Sequence, residues 1–93
     1  MGVHFDWDKK KSDANLVKHG ISFEEAATVF FDPFAKIASD PDHSVNDERF
    51  ILIGTSQRRR LLFVVHAYHK LDEIIRIISA RKATKREMKD FEN

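Results

Sequence analysis

The feature that most constrains this chain is a series of three strand-like segments in its second half, joined by very short links. The segments cover residues 49–56, 61–68 and 72–80, and the links are 57–60 and 69–71. Links this short join antiparallel neighbours, because a parallel crossover needs about a dozen residues or more. Residues 73–78 are apolar on both faces, which predicts that the third strand lies inside the sheet.

The N-terminal part predicts a short strand followed by a capped helix. Residues 3–7 alternate apolar and polar side chains, as a strand with one solvent-facing side does. Asp8 stands at the N-cap of a helix over Lys9–His19, and Gly20 ends that helix because it enters the left-handed conformation cheaply.

Three further signals complete the order of elements. Ser22–Glu25 is a capping box that opens a second helix, and Asp32–Pro33 stops it. A strand over 34–39 and a polar turn over 40–47 follow, and Thr84–Glu87 is a second capping box that opens a terminal helix. The order β-α-α-β-β-β-β-α predicts an α+β fold, in which a small antiparallel meander sheet packs against N-terminal helices and ends in a C-terminal helix.

Composition excludes several classes of protein. The length of 93 residues fits a single domain over 1–93 and excludes a two-domain enzyme with a cofactor domain. Without cysteine, neither a disulfide framework nor a thiolate zinc site can form, and a reducing cytoplasmic location fits. No apolar stretch reaches the roughly 18 residues of a membrane span, and no glycine-rich phosphate loop is present. We therefore expect no membrane contact and no cofactor.

The histidines show no metal-ligand pattern. His66 and His69 are three residues apart on a predicted strand, so their side chains point to opposite faces. No H-E-x-x-H motif is present either. We expect no metal site and place the histidines at the surface.

Charge is distributed unevenly along the chain. Residues 1–47 carry five Lys/Arg and nine Asp/Glu, a net −4, whereas residues 48–93 carry eleven Lys/Arg and six Asp/Glu, a net +5. This asymmetry indicates either a basic surface for nucleic acid or an acidic partner, or an ordinary solvated surface.

Arg76 is the most informative single residue. Regular alternation places it on one face with Ile74 and Ile78, in a strand that should be interior. A guanidinium there needs a partner or a polar groove. It is either a structural residue held by a carboxylate such as Glu48 or Glu73, or a functional one that lines a phosphate-binding face.

Other cations cluster near the strand ends. Arg49 begins the first meander strand, Arg58–Arg60 fills a turn, and Arg81–Lys82 closes the third strand. Such clusters suit phosphate, although the turn could equally be a solvated hairpin tip that opposes aggregation. Lys18–His19 ends the first helix, where His19 is either a general acid or base or a complement to the helix dipole.

Four blocks of sequence, taken together, resemble the BrnT toxins of bacterial type II toxin–antitoxin systems. They are Trp7–Asp8 with Asn15, Lys18–Gly20, Ser22–Phe23 and Ala26; Asp40–Ser44 with Glu48–Arg49; Ile53–Ser56; and Ile74–Arg81 with Lys82–Thr84 and Glu87. The resemblance runs from about Phe5 to Phe91. The turn at 58–60 departs from it, because family members often have Gly there, and Phe91 stands where they often have Tyr.

The resemblance implies a fold similar to RelE, with helices on one face of the sheet and a basic groove on the other. It implies an endoribonuclease whose RNA cleavage inhibits translation. The absence of a clustered ligand set among histidines and carboxylates predicts that this cleavage is metal-independent. The resemblance also implies a BrnA-type ribbon-helix-helix antitoxin as partner, and operator DNA bound only through the toxin–antitoxin complex. The alternative is a non-catalytic basic module that binds nucleic acid or docks an acidic protein.

Candidate site residues follow from the matching blocks and from the basic turn. A ribonuclease without a metal needs proton transfer at the 2′-hydroxyl and the leaving oxygen, and cations around the phosphate. His19 is the predicted base or acid, and Arg76 and Arg81 are predicted to stabilise the phosphorane. The residues predicted to hold flanking phosphates are Lys18, Arg49, Arg60 and Lys82.

Overall fold

The structure is a computed structural model that describes residues 2–40 and 48–91. Its elements are β1 (His4–Asp6), α1 (Lys9–His19), α2 (Phe23–Thr28), a 3-10 helix (Val29–Phe31), β2 (Lys36–Ser39), β3 (Phe50–Thr55), β4 (Leu61–His69), β5 (Ile74–Lys82) and α3 (Lys85–Asp90). The predicted order of strands and helices is confirmed. Residues 41–47, which hold most of the predicted polar turn and of the block Asp40–Ser44, lie outside the described residues.

The helix ends follow the local signals in the sequence. The side chains of Asp8 and Ser22 each accept a hydrogen bond from the backbone N–H three residues later. Gly20 takes a left-handed φ of 71° at the end of α1. The capping box at Thr84 forms in full. The one at Ser22 forms only in half, because the carboxylate of Glu25 turns to other partners instead of reaching back.

The sheet has the strand order β1-β5-β4-β3-β2. Strands β2 to β5 form the predicted antiparallel meander, and β5 is interior as expected. The edge strand β1 pairs with β5 in parallel, a long-range pairing that the sequence analysis did not assign, so the sheet is mixed. β5 also starts two residues later than predicted, because Glu73 adopts a positive φ of 52° in the preceding turn.

α1, α2 and the 3-10 helix pack on one face of the sheet, whereas α3 follows β5 and pairs its Glu87 with Arg81. The core joins Ile21, Phe23, Ala26 and Val29 from the helical layer to the buried strand residues Leu52, Leu62, Val64, Ile77 and Ala80. β3 lies so close to the 3-10 helix and to the segment after it that a Cβ on Gly54 would lie 3.0 Å from Val29 Cγ1 and 2.8 Å from the Cβ of Ala35. Only glycine fits there without moving backbone or neighbours.

A β-bulge in β5 changes which side chains share a face. Val65 pairs with Ser79 and His66 with Ile77, so Ile78 is an extra residue in β5. Ile78 has no partner in β4, so the bulge interrupts the regular alternation on which the predicted shared face of Arg76 and Ile78 rests. Arg76, Ser79 and Arg81 pair with Ala67, Val65 and Phe63, which alternate along β4. All three thus lie on the outer face of the sheet, the face opposite the helical layer.

Candidate active site

Asn15 fixes α1 against the exposed edge of β5. β1 pairs only with residues 74–76 of β5, and within the described chain no strand continues that edge. Asn15 takes the place of a strand neighbour: its Nδ2 donates to the Ala80 carbonyl at 2.8 Å, and the Ala80 N–H donates to its Oδ1 at 3.1 Å. The same Nδ2 donates to the Ile21 carbonyl at 3.0 Å. This buried amide sets the position of the C-terminal half of α1.

A shallow cavity of about 220 Å³ lies between α1 and that edge. We call it the edge pocket; its lining residues are Lys11, Ala14, Asn15, Lys18, His19, Ile78 and Ser79. Two predicted site residues, Lys18 and His19, meet here. Sequence analysis missed Lys11, although its spacing of seven residues from Lys18 places both on one face of the helix. It also missed Ser79, which only the bulge brings to this position.

Arg76 lies on the outer face and pairs with Asp6. Its Nη1 donates to Asp6 Oδ2 at 2.6 Å, and the two side chains are 42% and 53% exposed. The predicted partners, Glu48 and Glu73, were wrong, because the parallel register places Asp6 directly beside Arg76. An ion pair this exposed adds little to stability and exchanges partners readily.

Arg81 is held more firmly on the same face. Its Nη1 and Nη2 donate to the two oxygens of Glu87 at 3.0 and 2.7 Å, and its guanidinium lies 3.9 Å from the centre of the Phe63 ring. These hydrogen bonds from Arg81 lower the pKa of Glu87 to about 2, against the opposing effect of burial. They also raise the pKa of Arg81. The guanidinium is therefore charged and fixed in orientation at neutral pH.

Ser79 connects the edge pocket with the outer face. It lines the pocket, and on the outer face it stands between Arg76 and Arg81. The β4 partners of these three residues are two positions apart, so each arginine lies roughly 7 Å from Ser79 along the strand, and the arginines are roughly 13 Å apart. The bulge thus makes Arg76 and Arg81 flank one point, whereas an unbroken strand would place them on opposite faces.

Arg60 turns away from this region into the protein. Its Nε donates to Glu25 Oε2 at 2.9 Å, its Nη2 pairs with Glu25 Oε1, and its Nη2 also donates to the Gly20 carbonyl at 3.3 Å. The Glu25 side chain is only 4% exposed and accepts a further bond from Ser56 at 2.7 Å. Arg60 lowers the pKa of Glu25 despite its burial. Arg60 therefore sits behind the end of α1 with its charge neutralised.

The remaining predicted contacts do not line the edge pocket. Arg49 is half-buried immediately before β3, and Lys82 is exposed at the end of β5. His66 is buried, so its predicted surface position is wrong; its ring packs edge-on against Phe30 at 4.7 Å. Among residues 2–40 and 48–91, no three His, Asp or Glu side chains form a group that could hold a metal ion. No helix in those ranges is long and apolar enough to cross a membrane.

A larger open cavity of about 540 Å³ has a different character. It lies beside the turn after β3, and its lining residues are Thr28, Phe31, Asp32, Thr55, Ser56 and Gln57. Its one charged side chain, Asp32, accepts backbone hydrogen bonds from Phe34 and Thr55. A carboxylate and no cation make this cavity unsuited to a phosphate, so the edge pocket is the better candidate site.

The fold and the site together define a small α+β protein with cations gathered at one edge of its sheet, an arrangement that suits a polyanionic ligand. A family model described as the ribonuclease toxin BrnT of type II toxin–antitoxin systems matches residues 7–87. The chain therefore belongs to the BrnT family of ribonuclease toxins. Membership of a type II family also implies an antitoxin partner.

A solved structure supports the fold independently. The 1.1 Å crystal structure of the Brucella abortus ribonuclease toxin BrnT matches with a TM-score of 0.64 and covers 89% of this chain and 99% of that one. The two sequences are 21% identical, so the likeness is one of fold. No curated protein matches this chain.

Proposed function

We propose that this chain cleaves RNA without a metal ion, and that the cleavage inhibits translation in the bacterial cytoplasm. The observation that supports this most is the convergence of His19, Lys11 and Lys18 on the Ser79 edge of β5, between two outer-face arginines. RNA carries its own nucleophile, the 2′-hydroxyl. The protein then has to move protons and stabilise negative charge, and the side chains of the edge pocket are suited to both.

His19 moves the proton in this proposal. It either accepts the proton of the 2′-hydroxyl as that oxygen attacks phosphorus, while water protonates the departing 5′-oxygen, or it donates a proton to the 5′-oxygen while water accepts the 2′-hydroxyl proton. Either route gives a 2′,3′-cyclic phosphate. Lys11 and Lys18 hold the phosphates on either side of the scissile bond as point charges. Asn15 keeps His19 in place, because it ties α1 to the Ala80 backbone.

The two outer-face arginines stabilise the pentacoordinate phosphorane. Arg76 exchanges its exposed bond to Asp6 for a phosphate oxygen, which costs little. Arg81 uses three of its five N–H donors on Glu87 and the Lys82 carbonyl, which leaves two for the substrate. One well-placed donor to a developing oxyanion contributes about 3–4 kcal/mol.

Three of the predicted cations, Arg49, Lys82 and Arg60, act outside the edge pocket in this proposal. Arg49 and Lys82 extend the phosphate path beyond the edge pocket, as their positions at the ends of β3 and β5 allow. Arg60 supports the end of α1, because Glu25 and the Gly20 carbonyl take its donors. We also propose that the antitoxin is a BrnA-type ribbon-helix-helix protein, and that operator DNA is bound through the complex.

Two measurements test the proposal. Expression of the chain alone should arrest bacterial growth, and co-expression of the protein encoded by the adjacent gene should restore it. The purified chain should cleave RNA in excess EDTA and leave 2′,3′-cyclic phosphate ends, while His19→Gln should lose cleavage without losing its Tm. Normal growth at verified soluble expression would contradict toxicity. Cleavage that stops in EDTA and returns with a divalent ion would overturn the mechanism.

A further inference from the structure

The helical layer leaves one end of its face of the sheet uncovered. Past the ring of Phe30, apolar side chains from four strands surround a cavity of about 230 Å³. Its lining residues are Phe30, Ile37, Phe50, His66, Tyr68 and Ile75. Ile37 is 62% exposed and Tyr68 is 45% exposed. Large apolar side chains at this exposure are the mark of a surface that binds another molecule.

A second apolar cavity continues the first. It has a volume of about 360 Å³ and is lined by Gly2, Val3 and Phe5 from the N-terminal segment, with Phe31. Phe30 and Ile75 line both cavities, so the two form one elongated surface, which we call the apolar groove. Phe31, at its rim, is 76% exposed.

The chemistry of the apolar groove is unsuited to the phosphate backbone of RNA. Among the described residues, no charged side chain lines either cavity. His66 is neutral at physiological pH, because burial lowers its pKa to about 4. A phosphate placed here would lose its hydration and gain no cation, which is strongly unfavourable. The groove also shares no residue with the edge pocket, where the cations lie.

A second copy of this chain does not fit the groove well. A twofold contact places the same surface on both partners. Two concave grooves facing each other would leave their floors empty. The occupant must instead be convex and apolar, as the side chains along one face of an amphipathic helix are.

We propose that the apolar groove is the docking site of the antitoxin, which inserts apolar side chains of one amphipathic helix into the two cavities. The proposal rests on the toxin function proposed above, since a type II toxin is neutralised by a protein that binds it. Two adjoining cavities that share Phe30 and Ile75 suit two apolar side chains from the same face of one helix. The partner's chemistry is thereby defined: an apolar helical face without charge at its centre.

The test changes one exposed side chain in each cavity. Ile37→Asp and Phe31→Asp place a charge that an apolar helix cannot desolvate, and neither residue belongs to the edge pocket. Leu71→Asp is the matched control, because Leu71 is 98% exposed in the turn before β5 and lines neither cavity. The probe is the purified protein encoded by the adjacent gene.

Both groove variants should arrest growth as the unchanged chain does, yet escape neutralisation, with Kd for the probe raised 100-fold or more. Leu71→Asp should stay neutralised. Binding within threefold of the unchanged chain for both variants, with native melting curves, would overturn the proposal. So would light scattering that shows a dimer of the chain alone, dissociated by Ile37→Asp, with probe binding unaffected. If either variant melts early, the serine variant at the same position, Ile37→Ser or Phe31→Ser, replaces it.

Binding and toxicity are measured separately, so the two proposals fail differently. A chain that binds the probe through the groove but does not arrest growth contradicts the toxin function and leaves the docking site in place. A toxic chain whose groove variants remain neutralised contradicts the docking site alone.

Discussion

Two arginine–carboxylate pairs in this protein differ in almost every physical respect. Glu25 and Arg60 meet at the border of the interior, where the Glu25 side chain is 4% exposed and also binds Ser56, and the Arg60 side chain is 26% exposed. Asp6 and Arg76 meet on the outer face, where the side chains are 53% and 42% exposed. In the sequence both arginines are candidates for contact with RNA. Only the carboxylates that they meet in the structure distinguish their roles.

The comparison shows that an arginine's availability depends on the carboxylate it meets. Glu25 cannot lose Arg60 without leaving a buried charge, so this pair is confined to a structural role. Asp6 can lose Arg76 at little cost, since both groups are hydrated when apart. The Arg81–Glu87 pair is intermediate, because its side chains are 40% and 27% exposed and it joins α3 to β5.

The strongest test of the buried pair is Glu25→Ala. The change removes the acceptor of the Ser56 hydroxyl, leaves Arg60 with the Gly20 carbonyl, and empties a buried position. We expect a loss of about 3 kcal/mol, the lower end of the range for breaking a buried pair, because Arg60 can partly reach solvent. Thermal melting should show a Tm lower by roughly 12–24 °C.

Glu24→Ala is the matched control for that experiment. Glu24 is the preceding residue in α2 and is exposed, so its Tm should change by only a few degrees. Equal Tm values for the Glu24 and Glu25 variants would show that the buried pair contributes no more than a surface charge. The contrast between the two arginine pairs would then be wrong.

The exposed pair is tested by Arg76→Ala. If Arg76 stabilises the transition state, cleavage should fall about 100-fold, which corresponds to about 2.7 kcal/mol. The Tm should stay within a few degrees, because an exposed ion pair contributes little. The measurements are thermal melts and the rate of RNA cleavage under single-turnover conditions.

Arg59→Ala provides the reference for loss of a surface arginine. Arg59 is exposed in the hairpin turn and should keep nearly full cleavage. A stable Arg76→Ala protein that cleaves as fast as the Arg59 variant would show that Arg76 does not act on RNA. A large fall in Tm would show instead that its pair with Asp6 is structural.

Local signals in the sequence account for most of the element boundaries. A cap depends on residues three positions apart, so Asp8, Ser22 and Thr84 could each be identified by inspection, and Gly20 marks the end of α1 by its φ alone. Arg59 adopts a positive φ of 63° in the hairpin turn, a conformation that glycine adopts more cheaply than arginine.

The candidate site depends on long-range pairing, which the sequence does not encode locally. Asp6 reaches Arg76 only because β1 pairs with β5 in parallel, across 70 residues of chain. The bulge at Ile78 is set by register against β4, and it decides that Arg76 and Arg81 share a face. Asn15 meets Ala80 across 65 residues. Composition and spacing could identify the cations but not their neighbours.

A final prediction separates buried from exposed titratable groups by their response to acid. Burial lowers the pKa of His66 from 6.5 to about 4. In the unfolded chain His66 binds a proton below about pH 6.5, whereas in the folded chain it binds one only below about pH 4. The free energy of unfolding therefore decreases as the pH drops from 6.5 to 4. Between pH 7.5 and 5 the loss should be roughly 1–2 kcal/mol, read from Tm values. Glu25 affects stability at lower pH. Because Arg60 lowers the pKa of Glu25, the ionised carboxylate stabilises the folded chain above pH 4.5, and this stabilisation is lost as the pH falls further.

His66→Leu should remove the fall in Tm between pH 6.5 and 4.5 and leave the fall below pH 4.5 unchanged. Leucine fills a similar volume against Phe30 and Phe50 but does not titrate. His69→Leu is the control three residues further along β4, where the ring is exposed, and it should keep the full fall between pH 6.5 and 4. If the His66 variant loses as much Tm at pH 5 as the unchanged chain, another group sets the acid response. That group would be neither His66 nor Glu25, because the contribution of Glu25 is still present at pH 5.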